Sequence, residues 1–124
     1  TLKSYPYNPQ ILPFAEEYGD QFELTDDPKV AAKDADVVET DVWASMGDEA
    51  QADKRRVDFA GYQVNDEIMK LAKPDAMVLH CLPAHRGEEI TAEVFEAHAN
   101  EIFDEAENRL HAQKAVLVTL LANK

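Results

Sequence analysis

The sequence predicts an α/β fold: a three-layer sandwich with a mostly parallel sheet between helices on both faces. Three observations predict it. Short strand-like runs alternate along the chain with segments of helical periodicity. Asp, Asn and Thr stand just ahead of those helical segments, where N-caps are needed. The run DVVETDV (36–42) is rich in valine, as a strand buried in a parallel sheet should be. Strands separated by helices form right-handed βαβ units, which bring every strand's C-terminal end to one edge. Open α/β sheets bind their ligands at that edge.

Each element follows in order. The opening TLKSYPYNPQ reads as a short extended piece and a turn. Because the chain starts at Thr1 and not Met, it suggests a piece excised from something longer. Asn8 suits an N-cap, with Pro9 at the first helical position. Ile11, Phe14, Ala15 and Tyr18 then form an amphipathic stripe that Gly19 ends. QFELT (21–25) alternates and reads as a short strand. Asp26 or Asp27 caps a helix in PKVAAKDA, and DVVETDV is the next strand. WASMGDEAQADKRR begins as a loop and becomes polar. Its run from Asp48 to Arg56 reads as an exposed, mobile surface loop, or as a solvated helix. FAGYQV (59–64) is aromatic and should pack. Asn65 caps DEIMKLAK, whose acidic first turn complements the helix dipole. Lys73-Pro74-Asp75 is a turn, AMVLHC (76–81) a strand, and Thr91 the cap of a helix reaching His98. The last stretch, from Glu101, is read as a very short strand at EIF and then a helix, with Leu110, Val116 and Leu120 as core candidates.

Bulk properties narrow the function. A chain of 124 residues is one ordinary domain, taken as 1–124, large enough for a core without disulfides or metal. It is 45% hydrophobic and 30% charged, the balance of a soluble globular protein. The net charge of -13 argues against nucleic-acid partners, whose phosphates it repels. No apolar run approaches the roughly 20 residues of a membrane span, and no signal peptide is visible. The single cysteine favours a reducing compartment, so a cytoplasmic location is expected.

Two strands end in chemically loaded loops. VVETDVWASMG delivers Asp41, Trp43, Ser45 and Met46; MVLHCLPAHRGEE delivers His80, Cys81, Leu82 and Pro83. Cys81 alone reads as a small buried hydrophobe; its functional reading is a thiol lining a polar pocket. Neighbouring strand residues point to opposite faces, which disfavours a His80–Cys81 nucleophilic dyad. Cys81, His80 and His85 match no strong zinc spacing, and no fourth ligand is evident. Asp41 is either a turn aspartate or a carboxylate for a ligand ammonium. Ser45 and Met46 lie just before Gly47, where a hydroxyl and a backbone N–H can hold a ligand carboxylate. An anionic group beside a donor-rich one suits a zwitterionic amino acid. Arg109, in EAENRLH, reads as a solvated or salt-bridged arginine beside Glu105 and Glu107, and Arg86 as another.

Three blocks taken together are more specific. TDVWASMG, then HCLPAHRGEE, then EAENRLHAQKA resemble, in order and spacing, the ornithine carbamoyltransferase family, over essentially the whole chain. The aspartate-using relatives have Pro where Cys81 stands, so the block favours ornithine. The resemblance implies a Rossmann-like, ornithine-binding second domain, truncated at its N-terminal strand. It also implies that the carbamoyl-phosphate domain, with its Ser-Thr-Arg-Thr and His-Pro-x-Gln motifs, is absent, as is the Asp-Gly-x-Asn-Asn turn. Carried over residue by residue, Asp41 and Ser45 resemble the pair that holds the ornithine α-amino group. The Met46 backbone resembles the contact to its carboxylate, and Cys81 the thiol beside its side-chain amine. The Leu82 carbonyl and Arg109 resemble groups that meet the carbamoyl moiety; His80 is expected to be structural. The implied activity needs no metal or organic cofactor. Its implied partners are ornithine and carbamoyl phosphate, within a homotrimer. On its own the chain is expected to be inactive.

Two other readings stand beside this one. A related transcarbamoylase acting on another amine, such as putrescine, shares much of the frame. A non-catalytic, receiver-like module would press Asp26, Asp27 and Lys73 into service, but Lys73 precedes a strand where a receiver needs a lysine after one.

Overall fold

The computed structural model describes Tyr5, Gln10, Gly47 and residues 12–44 and 49–122. Among the described residues, six α-helices and two strands follow in order: α1 Leu12–Glu16, α2 Pro28–Ala32, β1 Val37–Thr40, α3 Ala52–Asp58, α4 Asp66–Met69, β2 Met77–His80, α5 Ala92–Ala97 and α6 Ala99–Leu121. Short 3-10 turns stand at Gly19–Gln21 and Glu49–Gln51. The fold is α/β with a parallel sheet, as the sequence predicts. β1 and β2 pair in parallel from Val37↔Met77 to Thr40↔His80.

The caps sit where the sequence puts them. Asp27 accepts the Lys29 N–H at 2.8 Å, and Pro28 follows it at the first helical position. Asn65 accepts the N–H groups of Glu67 and Ile68 at 3.0 and 3.1 Å. Thr91 accepts the Val94 N–H at 3.3 Å. Each satisfies donors that a helix leaves open at its start. The caps proposed at Asn8 and Pro9, with Ile11, lie outside the described residues.

The core gathers Val64, Val78, Ile90, Val94, Phe95 and Ile102, with Val38, Met69, Leu82 and Ala84 against it. α6 packs along β2 and against α5. Glu101 in its first turn accepts the Val78 N–H at 2.9 Å, tying helix to strand. The aromatic run packs as expected: Phe59 meets Tyr5, Trp43 and Tyr62 at centroid distances of 4.7, 6.4 and 5.9 Å. Beside β1 runs an open cleft of about 730 Å³, bordered by Thr25, Ala31, Ala32, Val38, Thr40 and Ile68.

Several expectations are corrected. QFELT is not a strand: Phe22 is extended, but residues 22–25 have no ladder partner among the described residues. Glu23 and Thr25 line the cleft instead, and a strand exists only by pairing. EIF is not a strand either, because Glu101–Phe103 lie inside α6. Ile102 is fully buried and Phe103 exposed, an alternation that a strand would also show, so composition and burial alone do not separate the two. Leu110, Val116 and Leu120 are 55%, 57% and 65% exposed, so they are not core. Every described residue of α6 from Glu107 on is exposed. The run from Asp48 to Arg56 is not a loop where it is described: Glu49–Gln51 and Ala52–Asp58 are helical. There Arg56 pairs with Asp53 and Glu88, and Lys54 with Asp58. Phe14 and Tyr18 touch each other edge-on at 5.3 Å yet stay exposed, leaving Ala15 as the buried residue of α1.

Candidate functional site

The parallel register builds the site. Thr40 pairs with His80 at the C-terminal ends of β1 and β2, so the next residues, Asp41 and Cys81, leave the sheet side by side. The Cys81 thiol lies 3.2 Å from Asp41 Oδ1, to which it donates. The same Oδ1 accepts the Val42 N–H at 2.7 Å, which holds the carboxylate over the start of its own loop. Arg109, on α6, reaches back and donates from Nη1 to the Cys81 carbonyl at 3.3 Å. Three of the residues picked from the sequence therefore meet at one rim, with Leu82 next in the chain. Ser45 and Met46 lie outside the described residues.

Electrostatics at the rim follow from this arrangement. Burial pushes the Cys81 thiol above its ordinary value; the Asp41 carboxylate pushes it further, and Glu105 adds to the push. Cys81 is thus held as a neutral thiol, which removes the conditions for a thiolate nucleophile. The same two carboxylates make the rim attractive to an ammonium ion.

His80 plays a different part from its neighbour. It is fully buried, as is Glu89. The Leu82 N–H donates to His80 Nδ1 at 3.0 Å, so that nitrogen carries no proton. Nε2 then holds the proton and donates to Glu89 Oε1 at 3.0 Å. The same Oε1 also accepts the His85 N–H at 2.6 Å. Leu82 sits at φ 54, the left-handed region, which costs a residue bearing a Cβ about 1–2 kcal/mol. The bond from its N–H to His80 helps to hold it there.

Glu89 is the residue that sequence reasoning missed. It was legible only as the second half of a charged pair, and charged pairs are ordinarily solvated. The available signal was its place immediately before Ile90, which is fully buried and bridges Val64.

Ligand atoms of Asp41, His80 and Cys81 lie within 4.8 Å of one another, as do those of His85, Glu88 and Glu89. In the first group both His80 nitrogens already have partners, so a metal there would have to break the Leu82 or the Glu89 contact. In the second, Glu88 pairs with Arg56 and Glu89 with His80. The receiver-like reading fares no better. Asp27 is a helix cap, Asp26 offers its carbonyl to the Tyr62 hydroxyl, and Lys73 pairs with Asp36. Arg86 pairs with Glu96 and lies over the Phe95 ring.

The chain is 58% identical over 124 residues to an ornithine carbamoyltransferase of Nitratiruptor, covering 97% of this chain and 40% of that protein. It is 56% identical over 119 residues to one from Methanosarcina acetivorans, covering 96% and 39%. The crystal structure of an anabolic ornithine carbamoyltransferase from Campylobacter jejuni superposes with a TM-score of 0.91 at 41% identity, over 100% of this chain and 42% of that one. The Pyrococcus furiosus ornithine carbamoyltransferase does so with 0.82 at 52% identity, over 94% and 38%. The chain thus spans about two fifths of the length of these relatives. Residues 1–120 match the family model described as the aspartate/ornithine carbamoyltransferase Asp/Orn binding domain, and the chain belongs to that family.

Proposed function

We propose that this chain, as a single domain over 1–124, is the acceptor-binding part of an ornithine carbamoyltransferase. The whole protein would transfer the carbamoyl group of carbamoyl phosphate to the side-chain amine of ornithine, giving citrulline and phosphate. The observation that carries the reading is the meeting of Asp41, Cys81 and Arg109 at one rim, with the thiol 3.2 Å from the carboxylate. Relatives at 56–58% identity named for this reaction support it.

The roles follow from the chemistry of the groups. Asp41, with Ser45, holds the ornithine α-ammonium, and the Met46 backbone meets its carboxylate. Cys81 faces the side-chain amine. That amine attacks only after losing its proton, and a desolvated pocket favours the neutral form. A neutral thiol neither adds charge to stabilise the ammonium nor attacks the carbonyl itself. Cys81 therefore orients the amine, and takes its proton only as a thiolate, after the thiol's own proton has gone to solvent. The Leu82 carbonyl and Arg109 meet the carbamoyl group, where the guanidinium steadies charge developing on the carbonyl oxygen. Carbamoyl phosphate is held mainly outside this chain, and closure of the two parts would expel water before attack. A homotrimer in the cytoplasm is part of the same reading. Among the described residues no helix is long and apolar enough to cross a membrane.

The test uses Cys81→Ala in the longer protein this reading implies. Ornithine kcat/KM should fall while the KM for carbamoyl phosphate holds. Unchanged ornithine kinetics would remove Cys81 from the site. Putrescine run in parallel as acceptor decides the amine: faster turnover than with ornithine would overturn the substrate assignment. The 124-residue chain alone should form no citrulline.

A further inference from the structure

The mechanism above leaves one buried carboxyl without a task. Glu89 is fully buried, its Oε1 serves two donors, and its Oε2 is buried with no hydrogen-bond partner. Burying such a group is costly. Yet it lies behind the very loop that carries Cys81 and Leu82.

We propose that Glu89 is a positioning residue for this site: it holds His80 as the Nε2–H tautomer, which leaves Nδ1 to pin Leu82 and so sets Cys81 against Asp41. The argument is one of hydrogen-bond parity. A neutral imidazole has one donor and one acceptor. The Leu82 N–H is a donor that cannot be turned off, so it demands a bare Nδ1. Something must then accept from Nε2, and Glu89 Oε1 is that group. The carboxyl is fixed in turn by the His85 N–H, on the far side of the same loop. Glu89 thus closes a ring that runs through His80, Leu82 and His85 and returns to itself. Without an acceptor at Nε2, the tautomer with its proton on Nδ1 becomes competitive. That proton would point at the Leu82 N–H. Leu82 would leave its left-handed conformation, and Cys81 would shift relative to Asp41 and Arg109. The buried imidazole therefore works through the backbone, which is why it adjoins the thiol in sequence and never touches it.

Calling the site an ornithine grip rests on the function proposed above; the positioning itself is measured without it. Nitrogen-15 NMR of the histidine-labelled chain should show His80 with a protonated Nε2 and an unprotonated Nδ1. A proton on Nδ1, or on both nitrogens, overturns the inference in the native protein, before any variant is made. Glu89→Ala should give a mixture of tautomers. It should also speed alkylation of Cys81 by iodoacetamide about tenfold, as the thiol escapes the groups that raise its pKa. Glu89→Gln keeps an oxygen at the Oε1 position, so it should restore both readouts to within about twofold of the native chain. A folded Glu89→Ala with native tautomer and native alkylation rate refutes the inference. If that variant does not fold, Glu89→Asp, which withdraws the carboxyl by one methylene, is read the same way. In the longer protein, Glu89→Ala should raise the ornithine KM more than the carbamoyl phosphate KM. If carbamoyl transfer is absent while the NMR and alkylation results hold, the function fails and the positioning role stands.

Discussion

After β2 the chain turns over a buried His80–Glu89 pair; after β1 it leaves the sheet through the exposed Asp41 and the half-buried Val42, Trp43 and Ala44. The β2 loop is held by His80, Glu89, and the Leu82 and His85 N–H groups, while α6 reaches in through Glu101 to the Val78 N–H and Arg109 to the Cys81 carbonyl. The β1 loop has less behind it. The exposed Asp41 bonds its own neighbour, Arg55 donates to the Trp43 carbonyl at 3.1 Å, and the Trp43 ring stacks on Phe59. The difference shows how one site divides its labour. The loop bearing the thiol is fixed by the core behind it, whereas the carboxylate gets its position from strand register, the Val42 N–H and the thiol itself. On the function proposed above, precision at the side-chain amine would come from β2 and charge recognition from β1.

The sharpest way to break this contrast is to remove one support from each side. His80→Ala strips the Glu89 carboxyl and the Leu82 N–H of their partner and opens a cavity. The two lost hydrogen bonds and the lost packing together should cost about 3–5 kcal/mol in urea unfolding. Asp41→Ala should cost under about 0.5 kcal/mol, because the residue is exposed. Equal costs would mean that the β2 loop is no better anchored than the β1 loop.

Function should reverse that order. Asp41→Asn leaves the shape and removes the charge. If β1 supplies charge recognition, ornithine affinity in the longer protein should fall about tenfold to a hundredfold, the scale of a hydrogen bond to a charged group, 1.5–3 kcal/mol. The same change should speed alkylation of Cys81, since a carboxylate that raises the thiol's pKa is gone. Calorimetry with ornithine and a thiol-modification time course read the two effects. Native affinity together with a native thiol would place recognition elsewhere.

A smaller effect lies at the tie between α6 and β2. Burial pushes the Glu101 carboxyl up, but the Val78 N–H and His98 outweigh it, and its pKa ends below the usual 4.5. A depressed carboxylate stabilises the fold above its unfolded value and loses that contribution as pH falls through its folded value. The loss therefore falls below about pH 4.5. Glu101→Gln should lower stability at pH 7 and flatten the decline below pH 4.5. A variant whose pH profile matches the native one would show that this anchor contributes nothing.

How far the sequence could be read tracks the same division. Asp27, Asn65 and Thr91 were legible as caps, because capping is a local bargain between a side chain and the next turn. Asp41 and Cys81 were legible as strand-end residues, and parallel register did the rest. Glu89 was not, because its partner His80 becomes a neighbour only after the chain has gone through Leu82 and Gly87. The distal apolar residues of α6 misled for the opposite reason. Leu110, Val116 and Leu120 have the composition of a core face, but composition does not say whether anything lies opposite. QFELT misled likewise, since strand propensity does not supply a strand to pair with.

The smallest expected effect tests whether the distal half of α6 helps to order the site. Arg109 stands near the middle of α6, so either end of the helix could in principle aim its guanidinium. The proximal end has Ile102 fully buried and Glu101 bonded to β2; the distal end has Leu117 57% exposed. If the proximal anchors alone fix Arg109, Leu117→Ser should change unfolding free energy by no more than about 0.5 kcal/mol, and Cys81 alkylation should not change at all. The substitution removes a bare apolar side chain and touches no bond of the β2 loop. A shift in the thiol's reactivity would mean that the exposed turns transmit to the rim. The order of that rim would then no longer be credited to the hydrogen bonds behind β2 alone.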